Sequence, residues 1–122
     1  MSGNSILREA LRRLAERLPP GWRAESVPAG RTEAGADACF RVTGPDRSVA
    51  RVAVEAQASP TPRGVLARLD SRPAEREGAV MLVAPYLSPG VRERLRAAGA
   101  GYLDLTGNAF LSLARPGLFL QT

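Results

Sequence analysis

The chain has 122 residues, 44% of them hydrophobic, with a formal net charge of +5, no histidine and one cysteine. That length supports one compact domain with one core, and excludes two ordinary ones. No His-based triad or Cys/His zinc cluster can be built, Cys39 has no internal disulfide partner, and the longest apolar run (residues 79–84, stopped by Pro85) falls far short of the ~20 residues of a membrane helix.

Residues 5–18 place Ile6, Leu7, Ala10, Leu11, Leu14, Ala15 and Leu18 at helical spacing behind a polar Asn4/Ser5 cap. The spacing predicts an amphipathic helix whose other face carries Arg8, Glu9, Arg12, Arg13, Glu16 and Arg17. These charges break any apolar leader segment, so the expectation is a cytoplasmic protein without a membrane partner. Pro19-Pro20-Gly21 ends the helix, and residues 22–27 alternate as a half-buried strand. Residues 28–36 have no period and read as an irregular loop.

Residues 38–43 and 49–56 are Val-rich runs around the turn chemistry of Gly44-Pro45-Asp46-Arg47, which predicts a hairpin. Ser59-Pro60-Thr61-Pro62 resists regular structure, Val65, Leu66 and Leu69 indicate a short helix ending near Asp70, and residues 71–78 form a charged connector. Residues 80–83 make a short apolar strand of the kind buried on both faces. Ser88 as N-cap, Pro89 at the first helical position and Gly99 beyond the last turn punctuate the next helix. Strands over 102–105 and 109–113 flank Thr106-Gly107-Asn108, a turn in which Asp104 can accept from the turn amides or Thr106, and Pro116-Gly117 leads to a last strand at 118–120. A helix joining two apolar strands predicts parallel neighbours and a right-handed crossover. The order of elements implies a mixed α/β sheet with helices packed against it.

The segment Gly101-Tyr102-Leu103-Asp104-Leu105-Thr106-Gly107-Asn108-Ala109, with Val83-Ala84-Pro85-Tyr86-Leu87-Ser88-Pro89 upstream, resembles AbiEi-like antitoxins and transcriptional regulators of prokaryotes. There this unit forms the later half of a restriction-endonuclease-like domain. The resemblance implies such a core over residues 1–122: a helix, a three-strand antiparallel meander, a short helix, a strand, a helix and C-terminal strands. Fuller relatives add a winged-helix reader of DNA; none follows Thr122 in this chain, and the expectation is a fragment or a single-domain relative.

Active members of that superfamily hold a divalent metal, Mg²⁺ or Mn²⁺, with an acid at the start of the second strand and Asp/Glu-x-Lys on the third. The hard carboxylate oxygens bind the ion, which polarises phosphate and activates water. Here the third strand reads Val54-Glu55-Ala56-Gln57, so Gln57 stands where the lysine would be, and no lysine exists elsewhere in the chain. Pro45-Asp46 spells the superfamily's Pro-Asp. A hairpin turning at 44–47 has partner numbers summing to about 91, however, which leaves Asp46 at the tip and sets Glu55 opposite Ala36 or Asp37. Asp37 is the better partner, with an exposed loop acid as its plain alternative. Glu16 is either a third carboxylate or an ordinary helix-surface residue.

All 17 basic residues are arginine. Guanidinium forks suit a polyanion partner, although a GC-rich genome would enrich arginine by itself. Arg12, Arg13, Arg41 and Arg51 are the candidate nucleic-acid contacts. The leading expectation is a non-catalytic, DNA-associated regulatory or antitoxin-like domain with a degenerate nuclease fold and no cofactor. The alternatives are a metal-dependent DNA nuclease using Asp37, Glu55 and Gln57, with Asp37 and Glu55 on the metal, and a protein-interaction module that binds a toxin or a second copy as a homodimer.

Overall fold

The first helix, α1 (Gly3–Arg17), starts two residues before the apolar spacing predicts, because its cap is Ser2 and not Asn4 or Ser5. The Ser2 hydroxyl accepts from the Ser5 amide at 3.2 Å and satisfies an amide that has no partner within the helix. The computed structural model of the chain describes residues 2–31, 35–70, 79–114 and 116–122; the connector expected over 71–78 lies outside them. After α1 come β1 (Arg23–Val27), β2 (Ala38–Thr43), β3 (Val49–Ala56), α2 (Pro62–Asp70), β4 (Ala79–Ala84), α3 (Pro89–Ala97), β5 (Gly101–Asp104), β6 (Ala109–Ala114) and β7 (Gly117–Gln121).

The seven strands form one sheet in sequence order, β1 to β7. Pairing is antiparallel through β1-β2-β3, parallel through β3-β4-β5 and antiparallel again through β5-β6-β7. The two parallel joins are made by the helices α2 and α3, as parallel neighbours require. The crossover predicted through the Ser88-capped helix is therefore present, with the Ser88 hydroxyl accepting from Val91 N and Pro89 in the first turn. Gly99, at φ +74, takes the left-handed position that ends α3, and Ala100 N closes the turn on Leu95 O.

Strand alternation divides the side chains between two faces. One face meets α1: Phe40, Val42, Val52, Val54, Met81, Val83, Leu103, Leu111 and Leu118 bury against Ile6, Ala10 and Leu14. The other face meets α2 and α3, where Leu82, Ala84, Tyr102 and Phe110 pack on Val65, Leu87, Val91 and Leu95. Burying side chains of this size stabilises the fold by about 1.5–3 kcal/mol each before chain entropy is counted. On the β1-β3 side of this second face Arg23, Glu25, Val49 and Arg51 are exposed, while Cys39 and Ala53 are buried.

The β2-β3 hairpin corrects the predicted register by one residue. Arg47 N donates to Gly44 O and Gly44 N to Ser48 O, so the loop is Pro45-Asp46-Arg47, with Arg47 in the left-handed region at φ 70. That third loop residue pairs Thr43 with Val49 and Ala38 with Val54, and the partner numbers sum to 92. The difference matters because a one-residue slip exchanges the two faces of a strand. A left-handed non-glycine residue costs roughly 1–2 kcal/mol, partly offset by glycine's larger loss of chain entropy. Arg47→Gly is expected to raise stability by about 0.5 kcal/mol and Arg47→Val to lower it by about 1 kcal/mol or more, read from urea unfolding midpoints.

Candidate functional site

The paired register ends with Ala38 opposite Val54, and neither proposed partner is paired with Glu55. Asp37, one residue before Ala38, donates its N–H to Val54 O at 3.0 Å. Asp37 is exposed, and Glu55 and Gln57 are half-buried. One oxygen of the Asp37 carboxylate is engaged by the backbone, since Oδ2 accepts from Ala56 N at 2.9 Å. The next amide, Gln57 N, turns the other way and donates to Val83 O of β4. Asp37 thus satisfies the amide on the β2 side of β3, where β2 has not yet begun.

Asp46 is at the hairpin tip, where its Oδ1 accepts from the Ser48 amide at 3.0 Å and the Ser48 hydroxyl at 2.5 Å. The Pro-Asp dipeptide is therefore turn chemistry. Glu16 is not brought to Glu55. It accepts from Arg12 Nη1 at 2.5 Å on α1, whereas Glu55 alternates away from the Val54 and Ala56 side chains that face α1. Among the described residues no group of three Asp, Glu or Cys side chains is gathered as a metal site. Asp37 lines a cleft beside α1, whereas Glu55 alternates to the opposite face of β3.

The four candidate arginines fall on opposite sides of the sheet. Arg12 and Arg13 lie on α1 and donate to Glu9, whose carboxyl is lowered to about 2 by those hydrogen bonds. Arg41 and Arg51 are direct cross-strand partners on the half-open face. Like charges directly opposite each other are destabilising. Arg41 turns to Glu25 at 2.9 Å, and Arg51 donates to Pro28 O at 3.3 Å. Arg23 shares that face one row away, opposite Thr43. Arg23 belongs to the candidate interface although the sequence did not single it out; the signal available was its position two residues from Glu25 on an alternating strand.

A cleft of about 610 Å³ opens between the first half of α1 and the β1-β2 side of the sheet, lined by Leu7, Arg8, Leu11, Val27, Asp37 and Ala38 among others. Nothing in the spacing of the sequence links Arg8 with Asp37; the packing of α1 does.

Asp104, fully buried at the end of β5, is the centre of the turn motif. Its Oδ1 accepts from Thr106 N, Thr106 Oγ1 and Asn108 N at 2.9–3.0 Å, and its Oδ2 from Asn108 Nδ2 at 2.8 Å and Leu87 N at 3.0 Å. Gly107, at φ +115, supplies the backbone reversal. Arg92 Nη1 donates to Asn108 Oδ1, and both Thr122 Oγ1 and Arg17 Nη2 donate to Gly107 O. The expected turn role of Asp104 is present and wider than predicted, since Leu87 and Arg92 come from the β4-α3 connection and from α3.

Known protein families, curated proteins and solved structures offer no match to this chain.

Burial pushes the Asp104 carboxyl upward, but the hydrogen bonds from Asn108, Leu87 and Thr106 outweigh it and hold the group below the ordinary value of 3.8. A depressed native value contributes stability above the unfolded value, and this is lost as pH falls through the native one. Wild-type unfolding midpoints should therefore drop as pH falls below about 4. Asp104→Asn, which sets an amide against five donors, is expected to cost about 3 kcal/mol at neutral pH and to flatten that acid limb.

Proposed function

We propose that this chain is a non-catalytic, DNA-associated domain of the antitoxin or regulator type, with a nuclease-like fold that has lost its lysine. The observation that carries this reading is the pairing of Arg41 with Arg51 across β2 and β3, with Arg51 and the neighbouring Arg23 exposed. With Arg23 beside them, three guanidinium groups lie on one face of the sheet together with the carboxylates of Glu25 and Glu55. A phosphate backbone would relieve the repulsion that the register creates, and planar guanidinium forks suit its oxygens. The resemblance of the 101–109 segment to AbiEi-like proteins supports the same reading. So does the order α1, three antiparallel strands, α2 and β4, which is the order of a restriction-endonuclease-like core. Gln57 in place of lysine favours binding over cutting.

The test is fluorescence anisotropy with a labelled duplex over a salt series. Affinity should fall linearly on a log-log plot, and Arg41→Ala with Arg51→Ala should reduce the slope by roughly two, one for each phosphate contact. A duplex affinity that does not respond to salt or to these substitutions would overturn the assignment.

A second reading is a divalent-metal-dependent nuclease; it is supported by the Asp37 carboxylate reaching the end of β3, where it accepts from Ala56 N, the residue between Glu55 and Gln57. A bound ion would polarise a phosphate, while Asp37, Glu55 and Gln57 hold and orient it. The two roles of Asp37 separate by substitution. Asp37→Asn keeps an acceptor for Ala56 N and should leave stability within about 0.5 kcal/mol, whereas Asp37→Ala should cost about 1 kcal/mol. Metal binding in a Mg²⁺ or Mn²⁺ thermal-shift titration should be lost in both and in Glu55→Ala. Plasmid cleavage that disappears with Glu55→Ala would establish the nuclease in place of the binding domain.

A further inference from the structure

The sheet is open, and its two edges differ in kind. β1 carries Arg23 and Glu25, charges of the type that keep edge strands from pairing. β7 reads Gly-Leu-Phe-Leu-Gln, without charge or proline. Its backbone is set out for a partner. Thr122 N donates to Ala109 O at 2.9 Å, in the register that pairs Leu111 with Leu120 and Leu113 with Leu118. An antiparallel ladder alternates bonded and non-bonded pairs, so Leu118, Leu120 and Thr122 direct their backbone groups to β6. Gly117, Phe119 and Gln121 direct theirs away from the sheet.

The side chains mark the same edge. Phe119 is 64% exposed, the most exposed of the large hydrophobics among the described residues. It meets Phe110 edge-on at 5.8 Å, and Phe110 stacks on Tyr102 at 5.8 Å beneath the Arg96 guanidinium. An aromatic row therefore runs across the α3 face and ends on the outermost strand of the sheet.

From these features we infer that β7 is a self-association edge, whose partner is β7 of a second copy in antiparallel two-fold pairing centred on Phe119. A two-fold axis there sets Phe119 opposite its own copy, Gly117 opposite Gln121 and Leu118 opposite Leu120. Every outward backbone group of the three residues gains a partner, giving about six inter-strand bonds. The two Phe119 rings meet on one face and the leucines meet on the other. No like charges are opposed, because the strand has none. The surface is its own complement, the condition for a closed dimer and not an open chain. A five-residue edge buries less than a standard interface, so the dimer should form in the micromolar range.

Sedimentation velocity and light scattering on the full chain, from about 1 µM to about 1 mM, should show a monomer passing to a dimer. Amide exchange at Gly117, Phe119 and Gln121 should slow as concentration rises, while that at Leu118 and Leu120 stays constant. Phe119→Glu places two carboxylates face to face on the axis and should weaken the dimer by at least about tenfold, whereas Phe119→Tyr should preserve it. Phe119→Pro removes one outward N–H without touching a bond to β6 and should also weaken it. Far-UV circular dichroism checks that each variant is folded; if the proline variant is not, the glutamate variant and the exchange pattern decide. A monomer throughout the range, a dimer untouched by Phe119→Glu, or protection at amides other than these three would overturn the proposal.

Discussion

One buried carboxylate holds the centre of this fold together. Asp104 ends β5 where the chain must reverse, and five donors converge on its two oxygens. Four of them belong to the turn that leads into β6. The fifth, Leu87 N, comes from the connection between β4 and α3, so the same carboxylate fixes the ends of two parallel strands. Leu105 N donating to Pro85 O and Arg92 donating to Leu87 O repeat the link with neutral and charged partners. A charge in this position is costly unless every lone pair is used, and here the hydrogen bonds outweigh the cost of burial. The 101–109 segment is thus explained by the backbone it organises, before any ligand is considered.

From that fixed point the sheet extends in both directions with different coverings. The α1 helix spans one face and completes the larger core. The helices α2 and α3 serve the two parallel crossovers and pack on the other face, where Arg23, Glu25, Val49 and Arg51 are exposed on the β1-β3 side. What remains outside is what makes a surface: arginines paired across β2 and β3 at one side, and Phe119, at the end of an aromatic row, on the other. The first is charged and suits a polyanion; the second is neutral and suits another strand.

Much of the fold is legible in the sequence. The limits of β2 and β3 follow from Val-rich runs around a Pro-Asp turn, and α3 from its Ser88-Pro89 start and Gly99 stop. The signals here are local: a cap, a turn or a two-residue alternation acts on its own neighbours, so reading them needs no knowledge of the rest of the chain. The α1 cap is harder to read, since Ser2, Asn4 and Ser5 are all capping residue types and only the backbone decides which one lies at the end of the helix.

The site is less legible, because it depends on which loop residue is counted and on which element lies on which face. Hairpin arithmetic narrows the partner of Glu55 to two residues, but the ladder ends at Ala38 opposite Val54, and Asp37 meets β3 at Val54 O and Ala56 N instead. Arg12, Arg13, Arg41 and Arg51 look alike in sequence, yet the first two meet Glu9 on a helix and the last two oppose each other on the sheet. The elements, their order and the chemistry of the 104–108 turn are written in the chain itself, because they depend on contacts within a few residues. Folding in three dimensions was needed to bring Leu87 to Asp104, to put α1 and α3 on opposite faces, and to leave β1 and β7 as the edges. Those outcomes rest on contacts between residues far apart in the chain, which no local pattern encodes.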